Sequence, residues 1–486
     1  MKKYYFLVGL FFVWIQLLTA QCPTWLSVDS QSDIDSFLLE YPNCTELPKI
    51  YLDDLVLDNL NGLINIETIT GDVLINDIAG LINLDGLQNL SFIGGSLKIN
   101  YNPDLLSISA LSSLETLVGD LDIKENPPLT TIDGLEGLTT VSSIDIEWNE
   151  ALASLDGLQN ISSVTGAVRI SYAWPVSTLA PLANLTSVGS LFLGYLPLVT
   201  DLQGLHNLEN IHSGDLSLSS LGIANLEDLN IDTIGGGVSI INCDNLISLS
   251  ALADVTWSAS SLFTEVHIFA NELLTNLDGL EGITDLYSIW IIDNPLLSSI
   301  VPLSNAVVSH DIIIEQNPTL NSCAIYPVCA FNGTGTFSII DNGVNCLDEA
   351  TVMADCINNS SSAAGTTFLD LDCDAVYGAE DFPLSNQLIF RNPDGLPFAA
   401  SNEDGAYFGF LPNEVTWTLY PQPISGFTVL PEEHTITTGA TASFFTGLDF
   451  GFCPDSVFVD YVVDITAFVP AVPGFSQSYE ICVQNL

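Results

Sequence analysis

The chain has 486 residues, with 59 acidic against seven basic side chains and a formal charge of −52 at pH 7. Such a charge excludes nucleic acid and anionic membrane surfaces as partners on electrostatic grounds. It attracts cations, calcium included, and equally serves solubility in a salty medium where charges are screened.

Residues Met1 to Ala20 read as a secretory signal: Lys2 and Lys3, an apolar run through Leu18, then Leu18-Thr19-Ala20 before Gln21. Gln21 intervenes before Cys22, which argues against lipidation at the cleavage point. No later apolar run reaches membrane length, so no membrane insertion is expected and the mature chain reads as secreted, extracellular or at the cell surface. Loss of the signal leaves five basic residues (Lys49, Lys98, Lys124, Arg169, Arg391) against the same 59 acidic ones, a formal charge of −54.

From residue 50 onward a phrase of about two dozen residues repeats: Leu-x-Ile-x-x-Asn, then an apolar residue every third position. One copy runs Leu97-x-Ile99-x-x-Asn102 and continues through Leu105, Ile108, Leu111, Leu114 and Leu117 to Gly119. Its opening position recurs at Ile50, Val73, Leu97, Leu121, Ile144, Val168, Leu191, Leu216, Val238, Val266, Ile289, Ile312 and Phe337, at spacings of 22 to 28 residues. This period is the signature of a leucine-rich solenoid, in which no unit buries its own apolar side and stacking builds one core. The expected fold is mainly β: a right-handed solenoid of about 13 rungs of ~24 residues followed by a small antiparallel β-sandwich.

Ten cysteines in an exported chain suggest disulfides. Cys22 and Cys44 flank the segment before the first rung, as a cap does. Cys323 and Cys346 follow Asn317 and Asn342 at similar offsets, which favours Cys323–Cys346 with Cys329–Cys356, although four cysteines allow three pairings. Cys243 falls in the slot that elsewhere holds Asn102, Asn126, Asn149, Asn271, Asn294, Asn317 and Asn342, and is expected as a buried free thiol. Cys453 and Cys482 are expected to pair, leaving Cys373 over. The solenoid is expected over 21–356 and a linker over 357–366, from the composition of Asn358-Asn-Ser-Ser-Ser-Ala-Ala-Gly. Alternating runs such as Gln387-Leu-Ile-Phe390 and Thr416-Trp-Thr-Leu-Tyr420 read as a sandwich over 367–450. Residues 451–486 read as the start of an incomplete further β domain.

The stretch Cys22–Cys356 resembles the receptor L-domain-like leucine-rich repeats of large exported bacterial surface proteins. The matching residues are Tyr41-Pro-Asn-Cys44-Thr, the phrases Leu84–Leu90 and Leu155–Ile161, and the cap Cys323-Ala-Ile-x-x-Val-Cys329 with Asn332-Gly-Thr, Asp341-Asn342, Cys346 and Cys356. The following region is similar to the sandwich modules of bacterial surface stalks, through Phe368-Leu-Asp-Leu-Asp372 and Asn402-Glu-Asp-Gly405-x-Tyr407-x-x-Phe410. The resemblance implies recognition or adhesion, of a glycan or a protein, and no catalysis. Relatives of this kind usually end in a secretion-sorting domain.

Counting the phrase from its opening residue, the second and fourth positions point outward, because strand side chains alternate. Equivalent residues on successive rungs lie ~4.8 Å apart. The fifth position reads Tyr101, Glu125, Trp148, Tyr172 and Tyr195. Trp148, Tyr172 and Tyr195 form three aromatic steps, with Phe192 beside them. They either offer flat faces to a sugar ring or a protein partner or pack on each other.

The second position reads Lys98, Asp122, Asp145 and Arg169, and the fourth supplies Lys124 and Glu147. An ion-pair ladder relieving acidic repulsion is the favoured reading. The alternative is a polysaccharide hydrolase using two of Asp122, Asp145 and Glu147, whose carboxylates must stand ~5–9.5 Å apart. Against it, a general acid needs a raised pKa, and the neighbouring cations oppose that. His267, Phe269, Trp290, Ile292 and Ile313 form an apolar patch at outward positions, expected as an interface. Asp370-x-Asp372-x-Asp374 with Glu380 and Asp381 has the spacing of a calcium loop, with Ala375 where a turn glycine is usual. The chain has no Gly-x-Ser-x-Gly, HExxH, Cys-His zinc spacing or phosphate loop. Binding, rather than an enzyme, is the function the sequence favours.

Overall fold

The computed structural model describes residues 22–24, 26–258, 264–331, 333–359, 361–393, 395–411, 415–439, 441–455, 461–467 and 479–485. The secretory-signal assignment lies outside these residues. Two compact units are present. The first comprises Met1–Cys323 with Asn332–Asp348, and the second comprises Ala324–Phe331 with Glu349–Leu486.

The first unit is a β-solenoid. All thirteen opening residues, Ile50 to Phe337, pair in parallel register, each with its counterpart one rung along. A second parallel ladder of two-residue segments, such as Thr68–Ile69 beside Phe92–Ile93, runs just ahead of the main one. The two merge through an irregularity in Ser163–Ser171 and Asp285–Ile292. Apolar residues at every third position face inward and are buried from rung to rung; Ile99, Leu105, Ile108, Leu111 and Leu114 are fully so.

Each main strand ends in the same way. The fifth residue of every rung has a left-handed backbone, with φ between 49° and 58° from Asp54 through Tyr101, Trp148 and Ala270 to Asp341. No glycine occupies this position, although the conformation costs an L-residue about 1–2 kcal/mol. It swings the chain inward and turns the sixth residue to the core. Where that residue is Asn, its side chain satisfies buried backbone groups of the preceding rung and its amide reaches the next Asn, as Asn294 Nδ2 does to Asn317 Oδ1 at 3.2 Å. Asn294 Nδ2 donates to Ile268 O at 2.9 Å and its Oδ1 accepts the Asn271 amide at 3.1 Å. The same pattern links Asn102 to Asn126 to Asn149, and Asn271 to Asn294 to Asn317 to Asn342. Cys243 occupies the slot as a free buried thiol, its sulfur 3.7 Å from Leu218 O and its amide bonded to Asn271 Oδ1 at 3.0 Å. Burial pushes this thiol up to about 11.

The N-terminal end of the stack is sealed by a helix, Gln31–Glu40, which buries Ile34 and Phe37. Asp33 Oδ2 accepts the amides of Asp29 and Ser30, both at 2.9 Å, which caps its first turn. The helix lies so close to the first rung that a methyl group on Gly62 would overlap Ile34 O.

In the second unit two sheets face each other. One contains Ser361–Leu369, Ala406–Leu411, Phe427–Leu430 and Phe450–Pro454; the other contains Leu388–Asn392, Leu396–Ala400, Thr416–Pro421 and His434–Thr437. Ala363, Phe450 and Phe452 from the first pack with Ile389, Trp417, Leu419 and Ile436 from the second. Arg391 is buried between the rings of Tyr326 and Trp417, 4.1 and 4.8 Å from their centroids, a cation–π arrangement that binds the Tyr326–Cys329 helix into this unit.

Several sequence expectations are corrected here. Residues 361–366 of the stretch 357–366 read as linker belong to a sheet-centre strand, Ser361–Leu369. Their small side chains reflect crowding: a methyl group on Gly365 would lie 2.2 Å from Leu448 O and 2.7 Å from Tyr407 Oη. Residues 451–454, read as the start of a further β domain, continue the strand Phe450–Pro454, which pairs with Ser361–Leu369 and belongs to the sandwich. The cap segment Ala324–Phe331 and the helix Glu349–Asn359 cluster with the second unit, not with the solenoid as expected for 21–356. Cys453 pairs with Cys373, not Cys482, because Cys373 sits on a loop leaving the strand that Phe450–Pro454 flanks; the Cys482 side chain lies outside the described residues. Backbone segments Tyr461–Ala467 and Tyr479–Asn485 form an antiparallel pair.

Cys22–Cys44, Cys323–Cys346 and Cys329–Cys356 are the other three disulfides. Four disulfides are the chemistry of an oxidising, extracellular compartment. No helix among the described residues is long and apolar enough to cross a membrane.

Two predictions follow from the ladder. Cys243 should resist alkylation in the native protein at pH 8 and react after denaturation, while the eight paired cysteines stay unmodified without reductant; peptide mass spectrometry reads this. Asn294→Ala orphans a buried amide and a buried carbonyl and should cost roughly 2–5 kcal/mol in urea unfolding. An unchanged midpoint would show that the ladder contributes nothing.

Candidate functional site

The left-handed fifth residue lifts its side chain to the rim of the main sheet, so that residues of this row stand above one another. Trp148 and Tyr172 stack with ring centroids 3.5 Å apart and planes 9° from parallel, and Tyr172 and Tyr195 follow at 4.1 Å and 13°. The inner faces of the trio are therefore used by mutual packing, one of the two arrangements considered from sequence. Edges and outer faces remain: Trp148 is 41% and Tyr195 37% exposed. Tyr172 donates its hydroxyl proton toward Tyr195, and that hydrogen bond, followed by burial, raises its phenol to about 12.

The row continues past Trp148 through Glu125 to Tyr101, which is half exposed. The hydrogen bond to Glu125, then its charge, raises the Tyr101 phenol. A hollow of about 360 Å³ opens here, lined by Asn76, Asp77, Tyr101, Pro103, Glu125 and Pro127. A second of about 420 Å³ shares Pro103 and reaches Ile82, Leu106 and Pro128. Pro103 and Pro127 follow the ladder residues Asn102 and Asn126, a repeated Asn-Pro step that the sequence reading did not take up. Phe192 is half-buried and does not join the stack. Its ring tip lies over Gly194 two residues on, where a methyl group would meet Cζ at 2.7 Å.

Beside the aromatic row, the outward face carries the charges. Asp122, Asp145 and Arg169 stand in cross-strand register, as do Lys124 and Glu147. Lys124 Nζ bridges two rungs, 2.6 Å from Asp145 and 3.4 Å from Asp122. Burial works against its charge, yet the Asp145 hydrogen bond and the carboxylates around it leave its pKa raised. Lys98 and Arg169 form no ion pair among the described residues. Glu147 is raised above the ordinary carboxylate range, first by burial and then by the charge of Asp145, against the pull of Lys124 and Arg169.

His267, Phe269, Trp290, Ile292 and Ile313 are in register on three rungs and half-buried rather than fully exposed. They cover one another: His267 stacks on Trp290 at 4.8 Å, and Phe269 meets both rings edge-on at 6.0 and 6.3 Å. Burial lowers the His267 pKa, and Glu265, 3.4 Å away, opposes this.

In the second unit, Asp370, Asp372 and Asp374 bring carboxylate oxygens within 4.8 Å of one another. Glu380 is exposed and outside this group; Asp381 closes the loop instead, accepting the Leu371 and Gly378 amides at 3.1 and 2.7 Å. Ala375 takes the left-handed turn (φ 62°) that glycine makes in calcium loops. Asp370 is buried, and its two oxygens accept the amides of Asp374 and Ala375. Asp372 is exposed, and desolvation by its neighbours and then the Asp374 charge raise its pKa.

No protein-family model matches the sequence, and no curated protein matches it.

Two measurements address these groups. A carboxyl raised in the folded state favours folding below the unfolded pKa and loses that contribution as pH climbs through the folded value. Glu147→Gln should therefore gain melting temperature relative to the parent at pH 7 and not at pH 4; equal differences at both would remove the strain assigned to Glu147. For Asp372, a cation would relieve the repulsion. Millimolar calcium should raise the melting temperature of the parent and not of Asp372→Asn, and a melting curve indifferent to calcium would leave the loop a hydrogen-bonded turn only.

Proposed function

We propose that this chain is an exported binding or adhesion protein, a leucine-rich-repeat solenoid of the receptor L-domain-like kind, which recognises a glycan or a protein ligand along the rim of its main sheet. The observation that carries this reading is the Trp148–Tyr172–Tyr195 stack, held at one register on three rungs and still exposed at both ends. Large rigid rings lose little conformational entropy on binding, and they recur where a few side chains supply most of the affinity. The stack sets how a ligand lies. It meets ring edges and hydroxyls along the row, the outer faces of Trp148 and Tyr195, and the hollow at Tyr101 and Glu125. The amino-terminal signal and the disulfides support export, and the sandwich suits a stalk.

A second reading, polysaccharide hydrolysis, is favoured by one observation: Glu147 is raised by burial beside Asp145, which Lys124 pairs at 2.6 Å. That is the division of labour between an acid and its partner carboxylate.

A glycan and surface-protein binding screen with the parent, Trp148→Ala and Tyr172→Ala separates the two. Each substitution should weaken binding by about 2 kcal/mol or more with little change in melting temperature. Variants that unfold the protein and retain ligand binding would refute the rim site. Release of reducing ends from a polysaccharide, abolished by Glu147→Gln or Asp145→Asn, would transfer the chain to the hydrolases.

A further inference from the structure

The outward face of the main sheet carries a recess between two groups of aromatic side chains. Its second-position column reads Phe192, Ser217, Ser239, His267 and Trp290, each in register with the next. The fourth-position column beside it reads Gly194, Ser219, Ile241 and Phe269. Two consecutive rungs therefore present serines, with an aromatic ring on the rung before and aromatic rings on the rung after. Phe192 and His267 stand three rungs apart, roughly 14 Å along the stack, and no long side chain of the second-position column fills the interval.

The walls have defined faces. His267 stacks on Trp290 with centroids 4.8 Å apart and planes 26° from parallel. Trp290 lies on the following rung, so the other face of the imidazole looks back along the column toward Ser239. At the opposite end the Phe192 ring leans across the sheet over Gly194, where the ring tip leaves no room for a methyl group.

The floor is what points to a ligand. Ser219 occupies an outward position yet is only 5% exposed, so its neighbours rise above it. Its hydroxyl makes no hydrogen bond among the described residues, and neither do those of Ser217 and Ser239. By contrast Ser338, the next serine in the second-position column, donates to Glu315 Oε1 at 2.5 Å. A buried hydroxyl without a partner is costly, and one that faces outward is satisfied by whatever enters the recess. Charge narrows the class. Asp215 and Glu265, each just ahead of its rung's opening residue, both act on the His267 imidazole, and Glu265 lies 3.4 Å from Nε2. They repel an anion and accept from hydroxyls. The ligand that fits brings hydroxyls, an apolar face for an aromatic wall and no negative charge, which is the chemistry of a neutral sugar ring.

We propose that this recess binds one neutral pyranose residue of a glycan, its apolar face on the free face of His267 and its hydroxyls on Ser217, Ser219 and Ser239. The site is independent of the aromatic rim. Saturation-transfer NMR titration of the full chain with the methyl glycosides of glucose, galactose and mannose, and with glucuronate, tests it. At least one neutral glycoside should bind saturably in the millimolar range, about tenfold more tightly than glucuronate. Ser239→Phe continues the His267–Trp290 stack into the recess and should abolish this binding. Ser219→Ala removes a hydroxyl and should weaken it about fivefold. Cys243 protection from alkylation checks that both variants fold, and Ser219→Ala decides the matter if Ser239→Phe does not. Trp148→Ala should leave glycoside binding unchanged, which separates this site from the rim. Absence of saturable binding by all three glycosides, equal binding of glucuronate, undiminished binding in Ser239→Phe or Ser219→Ala, or loss in Trp148→Ala would each overturn the assignment.

Discussion

A chain that winds into stacked parallel strands must leave each strand sideways, and it must do so the same way on every rung if the strands are to stay in register. Here the exit is made by one left-handed residue followed by one inward-facing residue, and all else hangs from that pair of positions. The left-handed residue costs conformational energy thirteen times over. It is repaid within the stack, since its amide reaches the next rung (Tyr101 to Lys124 O at 2.9 Å, Asp293 to Glu315 O at 3.0 Å) and the following Asn satisfies a buried amide and a buried carbonyl of the rung before while donating to the Asn of the rung after. The same pair of positions creates the candidate site, because the residue that makes the turn is lifted to the rim.

The asparagine ladder is interrupted over the middle rungs, where Ala173, Leu196 and Leu221 fill the inward slot and are buried. Strand pairing extends there instead: Leu196 pairs with Leu221 beyond the left-handed residue, so main-chain pairing and apolar packing replace side-chain amides. Two of the three stacked aromatics, Tyr172 and Tyr195, stand over this stretch. The rungs that carry the rings are thus held by apolar packing and main-chain pairing rather than by side-chain amides.

Much of this was legible in the sequence because a parallel stack repeats one local solution. The period gave every strand start, and the alignment of Cys243 with the asparagines gave its burial and its free thiol. What was not legible is instructive. Ser361-Ser-Ala-Ala-Gly365 has the composition of a linker, yet small side chains also mark a crowded sheet centre, and composition cannot distinguish solvent from a neighbouring backbone. Cys373 and Cys453 are 80 residues apart and meet through strand order in the sandwich, which no local pattern encodes. For the site, position along the phrase correctly put Trp148, Tyr172 and Tyr195 in one column, but not which way their planes would turn. Stacking consumed the inner faces that sequence alone left open to a ligand.

The cysteine placement has a mechanical consequence. A solenoid pulled from its ends yields by peeling one rung at a time, each releasing about 24 residues and so on the order of 80 Å of chain. Cys22–Cys44 and Cys323–Cys346 join residues 22 and 23 apart in sequence, the first closing the cap helix and the second the last strand, at the two ends where peeling starts. Tension entering at either end passes through a covalent bond before it reaches a hydrogen-bonded strand. At the carboxy-terminal end the last strand, Phe337–Ile340, lies inside the disulfide loop, so the first strand to bear load there, Val307–Glu315, is gripped on both sides and must shear rather than unzip, whereas at the amino-terminal end the bond shields the cap helix.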